Sequence, residues 1–384
     1  MASPVTQVEG LEVNAARESA PRIREATFED YYEVSALQLR NGLATKSYAD
    51  WSALWDGNPA YEQSGRRSPI GWVLETSRGQ VGGFVGNLPL AYYFNGRCLR
   101  AATAYSWSVD PQYRGHSVIL LDRFLRQKGV DLFVCTTVNA ISETVYRALG
   151  FSRVPVGTWD RAAFWITGYR EFARCALQVA PIHLPQMLAS PLAAALYARD
   201  TLSGCLTNGD FDCEIEPCSG FDSRFDDFWE SLQRENVNRL LAMRTRETLE
   251  WHFRCSLKKA RTWIVAVSKA GRLVAYAIFD RQDHTTLPLK RLRFVDFQAR
   301  RGFEPTLRQV LEWMLRHCRE TGIHVAENVG CWLERLPVPG FSVPYQRKMK
   351  SWMFYYRASE PELSHCLQDP TVWAPSSFDG DASL

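Results

Sequence analysis

Val109-Asp110-Pro111-Gln112-Tyr113-Arg114-Gly115-His116-Ser117 joins an apolar, aromatic-rich run at 101–109 to an amphipathic segment at 118–128. The first reads as a strand and the second as a helix, because the apolar positions of the second recur at helical spacing. A strand that turns into a helix leaves the first backbone N–H groups without intrahelical partners, and the helix dipole adds positive potential at the same point. Such a junction holds a phosphate with little help from side chains. Gly115 permits close approach of the backbone, and Ser117 is small enough not to block it.

Further along stands Asn139, seven residues later Tyr146, and then Ala148-Leu149-Gly150-Phe151. The order Val-x-Pro-x-x-Arg-Gly, completed by a small residue two positions on, resembles the acyl-CoA pyrophosphate loop of the GNAT N-acyltransferase superfamily. That signature maps onto Gln112, Gly115 and Ser117, with Ser117 a mild departure from the usual Gly or Ala. Asn139, Tyr146 and the Leu-Gly-Phe closure resemble the superfamily's second signature. The resemblance covers about residues 20–175. It implies an α+β fold, a mixed α/β three-layer arrangement, with acetyl-CoA or another acyl-CoA as co-substrate. Strands ending at Val109 and near Val138 would splay apart to admit the pantetheine arm. Backbone groups of Gln112, Arg114, Gly115, His116 and Ser117 would hold the pyrophosphate, and Tyr146 would protonate the departing thiolate. Asn139 would bond the cofactor or order a water, or it simply ends the strand.

The residues around these motifs follow a matching order. A strand at 23–27 and helices at 28–41 and 48–55 precede strands at 71–76, 81–88 and 101–109. A strand at 132–138, a helix at 141–149 and strands within 153–165 come after. The second half repeats this order. Val73-Leu74-Glu75-Thr76-Ser77-Arg78-Gly79-Gln80-Val81 is echoed by Val265-Ala266-Val267-Ser268-Lys269-Ala270-Gly271-Arg272-Leu273, 192 residues on. Gly129-Val130-Asp131 is echoed by Gly322-Ile323-His324 at 193, and Trp51 has a counterpart in Trp251. A near-constant offset is the mark of duplication. The chain therefore divides into a disordered segment at 1–20, a GNAT-like domain at 21–177, a linker with a helix at 178–208, a degenerate GNAT-like domain at 209–358 and a tail at 359–384. In the second copy Phe303 and Glu304 follow Gly302, and an acidic side chain there opposes a pyrophosphate. That copy is expected to be catalytically silent.

At 384 residues, with 46% apolar and 23% charged residues, the chain is long enough for two cores. A net charge of +3 is too small to imply nucleic acid. Ten scattered cysteines without a Cys-x-x-Cys pair fit reduced thiols, not zinc or a disulfide framework. No secretory signal and no run of about 20 apolar residues is visible, and a cytoplasmic protein is expected. Asp379 and Asp381 flank Gly380 but lack further ligands, so no metal is assigned. The tail, apart from Trp373, is expected to fray.

The expected acceptor is the amine of a small molecule such as an amino sugar or amino acid, acylated directly in a ternary complex. Tyr105 and Trp107 are the candidate substrate-binding residues. The nearby Trp51, Trp55, Tyr61, Trp72, Tyr92 and Tyr93 are read as core. The strand Tyr105-Ser106-Trp107-Ser108 has no carboxylate to serve as general base, and Glu75 is an outside candidate. Two other readings stand beside this one. A cell-wall type transferase using aminoacyl-tRNA leaves the loop at 112–117 unexplained, and a non-catalytic acyl-CoA-binding regulatory protein would bind without turnover.

Overall fold

The computed structural model describes residues 21–62, 68–180, 185–202, 213–349 and 351–384. The segment at 1–20, expected to be disordered, lies outside the described residues, as do 181–184 and 203–208 of the expected linker. The first half runs β1 (Arg22–Glu25), α1 (Tyr31–Arg40), α2 (Tyr48–Ser52), α3 (Pro59–Glu62), β2 (Gly71–Glu75), β3 (Val81–Phe94) and β4 (Arg97–Val109). It continues with α4 (Ser117–Leu125), β5 (Leu132–Asn139), α5 (Ala140–Ala148), β6 (Ser152–Arg153) and β7 (Arg161–Ile166). Helices α6 (Tyr169–Val179) and α7 (Ala189–Leu202) connect it to the second half.

That half runs β8 (Glu214–Cys218), α8 (Arg224–Glu235), β9 (Leu241–Ala242), α9 (Arg246–Lys258), β10 (Thr262–Lys269), β11 (Arg272–Arg281) and β12 (Arg291–Ala299). It ends with α10 (Leu307–Glu320), β13 (Val325–Val329), β14 (Tyr345–Lys348), β15 (Ser351–Ala358) and α11 (Pro361–Cys366). The repeat is visible in the backbone. Gly79 turns β2 into β3 at φ +75°, and Gly271 turns β10 into β11 at φ +73°. Both positions demand the left-handed region that glycine enters without steric cost.

Burial fixes the helices more than propensity does. α10 lines Leu307, Val310, Leu311, Met314, Leu315 and Cys318 along one buried stripe, the three-and-four spacing of an amphipathic helix. Each large side chain fully removed from water contributes about 1.5–3 kcal/mol, enough to hold the helix on its sheet. α4 does the same with Leu120, Leu121 and Phe124.

The two sheets are interlocked. The first has the order β1-β2-β3-β4-β5-β15-β6 and the second β14-β7-β13-β12-β11-β10-β8. In each, one parallel pair, β4 with β5 or β12 with β13, stands at the centre. The strand beyond that pair comes from the other half of the chain. β15 lies antiparallel to β5 with Tyr355 opposite Cys135, and β7 lies antiparallel to β13 with Trp165 opposite Ala326. β9 adds to the outer part of β3 in the first sheet. A boundary at 178–208 thus divides the chain but not the sheets.

The tail corrects its sequence reading. Leu363, Leu367, Val372, Trp373 and Phe378 are buried in the largest core cluster, and Ser376, Ser377 and Asp379 are buried with them. Trp373 is docked by its indole N–H, which donates to the Leu367 carbonyl at 2.8 Å. The residues after it do not fray, because their polar groups find internal partners. Among the described residues no helix is long and apolar enough to cross a membrane.

Candidate active site

β4 and β5 pair only through Ala101–Thr103 and Leu132–Val134. Beyond that point the two strands part, leaving a gap flanked by 104–109 and 135–139. The divergence has a local cause. The register between β3 and β4 slips between Phe84 and Gly86, and Ser106 sits at φ +51°. An extra residue in one strand bends it and leaves its ladder broken. On a regular strand, residues 105 and 107 would share a face. The bulge separates them: Trp107 packs with Tyr146 in the layer of α4 and α5, whereas Tyr105 packs with Trp51 and Trp55 in the layer of α1 and α2. The two expected substrate residues therefore lie in different clusters.

Past Val109 the chain winds at once into a 3₁₀ helix, Pro111–His116, that runs into α4. The helical segment thus starts seven residues earlier than the 118 read from sequence. Amides of Tyr113 and Ser117 donate to the carbonyls of Asp110 and Arg114, so Ser117, an expected phosphate donor, has its amide engaged within the turn. Gln112, Arg114 and Gly115 are exposed, and nothing lies within 4 Å of where a Cβ on Gly115 would sit. The Ser117 hydroxyl donates to the Arg114 carbonyl at 2.7 Å, and the buried Nδ1 of His116 has no hydrogen-bond partner among the described residues. Asp110, itself buried, accepts from Arg40 Nη2 at 2.9 Å and from Asn41 Nδ2 at 3.0 Å. This ties the end of α1 to the start of the turn and neutralises the carboxylate there.

Asn139 ends β5 and caps α5. Its Oδ1 accepts the amides of Ile141 and Ser142 at 3.0 and 2.8 Å, the N-cap role that its side chain suits. Tyr146, one turn from the end of α5, is 5% exposed, with Trp107 edge-on at 6.0 Å, Phe151 edge-on at 4.9 Å and Tyr355 stacked at 6.4 Å. Burial, reinforced by the neighbouring Cys135 thiol, holds its phenol well above the usual tyrosine range. It keeps its proton throughout the neutral range.

Tyr355 arrives from β15, and its hydroxyl donates to Glu143 at 2.5 Å and accepts from Arg147 at 3.2 Å. Sequence reasoning missed it because the strand that carries it belongs to the other half. Glu75 lies away from the gap, on the edge of the sheet, paired with Arg22 at 2.6 Å and Arg24 at 3.6 Å. Trp51, Trp55 and Tyr61 are core, and the Trp55 indole donates to the Asn87 carbonyl at 2.7 Å.

The tail supplies the carboxylate that the strand lacks. Thr136 and Thr137, in the parted section of β5, donate their hydroxyls to Asp381 at 2.7 and 2.8 Å. Burial raises the Asp381 pKa, and its charge is felt by Tyr105, Cys135 and Tyr146. Gly380 precedes it at φ +71°, where a Cβ would lie 2.7 Å from Thr136 Cγ2. Only glycine brings the tail this close to the strand. The signal was present in Asp379-Gly380-Asp381, which reads as a weak metal pattern when its partners are unknown.

The second sheet has the same opening, filled by the chain itself. β12 pairs with β13 only through Arg291–Arg293 and Val325–Glu327, and its register with β11 slips between Ile278 and Phe279. Beyond the pairing, Asp296 is wholly buried. Arg244 donates to it at 2.8 and 3.1 Å, Ser376 at 2.7 Å and Tyr276 at 3.1 Å. The Arg244 guanidinium also lies 4.8 Å from the Phe378 ring and 3.7 Å from Asp379. Burial pushes Asp379 up to about 6. His252, driven down to about 3 by burial, stays neutral and shares a hydrogen bond with Ser383 at 2.8 Å. Glu304 takes the Gly302 amide at 2.8 Å, occupying the turn where the first copy has its exposed Gly115.

Solved structures with this fold include GCN5-related N-acetyltransferases from Anabaena variabilis ATCC 29413 and Kribbella flavida. Their TM-scores are 0.51 and 0.53 at 12% identity, and the match covers 88% of this chain and 73% and 71% of theirs. A Saccharomyces cerevisiae N-myristoyltransferase with bound myristoyl-CoA is similar as well, with a TM-score of 0.52, 12% identity and coverage of 88% of this chain and 80% of that one. No protein-family profile matches the sequence, and no curated protein matches it. The chain has the GNAT N-acyltransferase fold, with two sheets between which the halves of the chain exchange strands.

Proposed function

We propose that the protein is an acyl-CoA-dependent N-acyltransferase whose reaction takes place in the gap between β4 and β5. The observation that carries this reading is geometric: where β4 and β5 stop pairing, Tyr146 packs against Trp107 of β4 and Asp381 is held by Thr136 and Thr137 of β5, and burial favours the protonated form of both groups. Acyl transfer to an amine needs a base to remove the ammonium proton and an acid to meet the thiolate. In the proposed sequence the amine nitrogen bonds to the thioester carbonyl carbon and the carbon–sulfur bond breaks. Asp381 first relays the ammonium proton to solvent. As the nitrogen is acylated its second proton passes to Asp381, directly or through one water, and Tyr146 protonates the sulfur. The proton on Asp381 then returns through water to the phenolate. Parted strands and the exposed turn at 111–117 fit a long, phosphate-bearing donor. Acetyl-CoA is the first donor to test, and a small-molecule amine the proposed acceptor.

Thermal unfolding with acetyl-CoA, longer acyl-CoAs and CoA tests the donor. A ligand at about 100 times its dissociation constant stabilises by about 2.7 kcal/mol, a rise of several degrees in midpoint. Amine-dependent release of free thiol then tests turnover. Absence of any shift with every CoA species sinks the proposal.

Two variants examine the parts. Gly115→Trp combined with Ser117→Leu should abolish the shift with acyl-CoA while the unliganded midpoint stays within a few degrees, since the space beyond Gly115 is open. An unchanged affinity would remove the loop from the donor site. Tyr146→Phe keeps the ring contacts with Trp107, Phe151 and Tyr355 and deletes only the hydroxyl. It should lower kcat by about 10- to 100-fold with little change in acyl-CoA affinity. A lost affinity with an unaltered chemical step would make Tyr146 a packing residue.

A further inference from the structure

Where β12 ends, at Phe297–Ala299, a cleft of about 670 Å³ opens between α8, the 3₁₀ turn Trp332–Arg335 and residues 370–376 of the tail. In the repeat it stands where the first copy turns from β4 into its phosphate loop, yet it is built differently. Its floor is apolar, from Leu232, Leu241, Phe297, Trp332 and Trp373, and its rim carries Arg234, Arg239, Arg301 and Arg335. Two carboxylates share the lining, and both are engaged. Glu235 accepts from Arg300 at 3.0 Å and from the Arg301 amide at 2.8 Å, and Glu304 accepts the Gly302 amide at 2.8 Å.

The arginines are not balanced to the same degree. Arg234 has a distant exposed partner in Glu230 at 3.9 Å. Arg335 donates to the carbonyls of Pro370 at 2.9 Å and Val156 at 3.4 Å and, among the described residues, meets no carboxylate. Arg239 makes no side-chain hydrogen bond or ion pair among the described residues. Burial, with the positive charge of Arg239 added to it, lowers the Arg335 pKa. Two guanidinium groups that line one open cleft without a carboxylate partner are satisfied best by a multiply charged oxyanion, which their planar donors bind in pairs. The apolar floor leaves room for more than the charged group.

We propose that this cleft is a second ligand site, for a small organic phosphate of nucleotide size, with the phosphates at Arg239 and Arg335 and the organic part over the apolar floor. Acyl transfer plays no part in the argument, so the site stands or falls apart from the proposed reaction.

The test is calorimetric titration of the full chain with ADP, with adenosine as the uncharged control. Saturable binding of ADP is expected below about 1 mM, with none for adenosine. Arg239→Glu, at a side chain that holds nothing else in place, should weaken ADP by at least about tenfold and leave the CoA response unchanged. The variant carrying Gly115→Trp and Ser117→Leu should bind ADP as the natural chain does. No saturation, equal binding of adenosine, or an unaltered affinity in Arg239→Glu overturns the proposal. Loss of ADP in the Gly115 variant alone would place the nucleotide at the first copy's loop and overturn it too.

Discussion

Asp381→Asn should lower kcat for acyl transfer by about 10²- to 10⁴-fold, the range that a positioned base contributes, while the protein still folds and binds acyl-CoA. Thr136 and Thr137 donate to separate oxygens of Asp381. Asparagine keeps one as an acceptor and turns its NH2 to the other hydroxyl, which can rotate to accept, so the tail remains in place and the capacity to take a proton is lost. The pH profile distinguishes this from a structural role. A base works when ionised, and its rate falls as pH drops through its pKa. Burial has raised that of Asp381, so the acid limb of kcat/KM should lie above the usual carboxylate value of about 3.9. It should vanish in Asp381→Asn. A rate within twofold of the natural protein, with the limb intact, would assign the base elsewhere.

Arg244→Met should cost about 3–5 kcal/mol of stability, since removing one member of a buried ion pair strands the other without compensation. Two carboxylates are at stake, Asp296 with its two hydrogen bonds from Arg244, and Asp379 at 3.7 Å. For a chain of this size the loss corresponds to a fall in melting midpoint on the order of 10 °C. Adding Asp296→Asn should recover part of it, because the stranded charge is gone. The single variant should also become sensitive to proteolysis beyond Trp373, as Arg244 holds Ser376 and lies under Phe378. A midpoint within about 2 °C of the natural protein would mean that the cluster does not anchor the tail.

The sequence was most legible where structure is local. The turn after Val109, the α5 helix ending in Leu149-Gly150-Phe151, and the hairpins at Gly79 and Gly271 depend on neighbouring residues, and each appears where the pattern puts it. The onset of the 3₁₀ turn at Pro111 was missed because the fixed proline backbone begins a helix as readily as it shapes a loop. Strand exchange had no local mark. β6 and β7 read as a continuation of the first sheet, and nothing in Arg161–Ile166 says that its partner is Val325–Val329. The tail misled for a related reason. Pro375-Ser376-Ser377 and Asp379-Gly380-Asp381 have the composition of exposed turns, and only Arg244, Thr136 and Thr137, between 132 and 245 residues away, make their burial tolerable. The candidate base escaped notice for the same reason.

The shared strands bear on how this protein comes into being. During synthesis β5 emerges long before β15, so for more than two hundred residues its outer edge has no partner and its Phe133-Val134-Cys135 run stands ready to pair with any other strand. Contacts of such separation form slowly, and a chain halted near its middle would expose this edge permanently. A ribosome-bound intermediate should therefore depend on chaperones that shield strand edges, and truncated products should be recovered as aggregates and not as a smaller active enzyme. The gap beside β5 acquires its neighbouring strand, β15, and the Asp381 carboxylate only after more than two hundred further residues have been made, so the proposed chemistry has to wait for both.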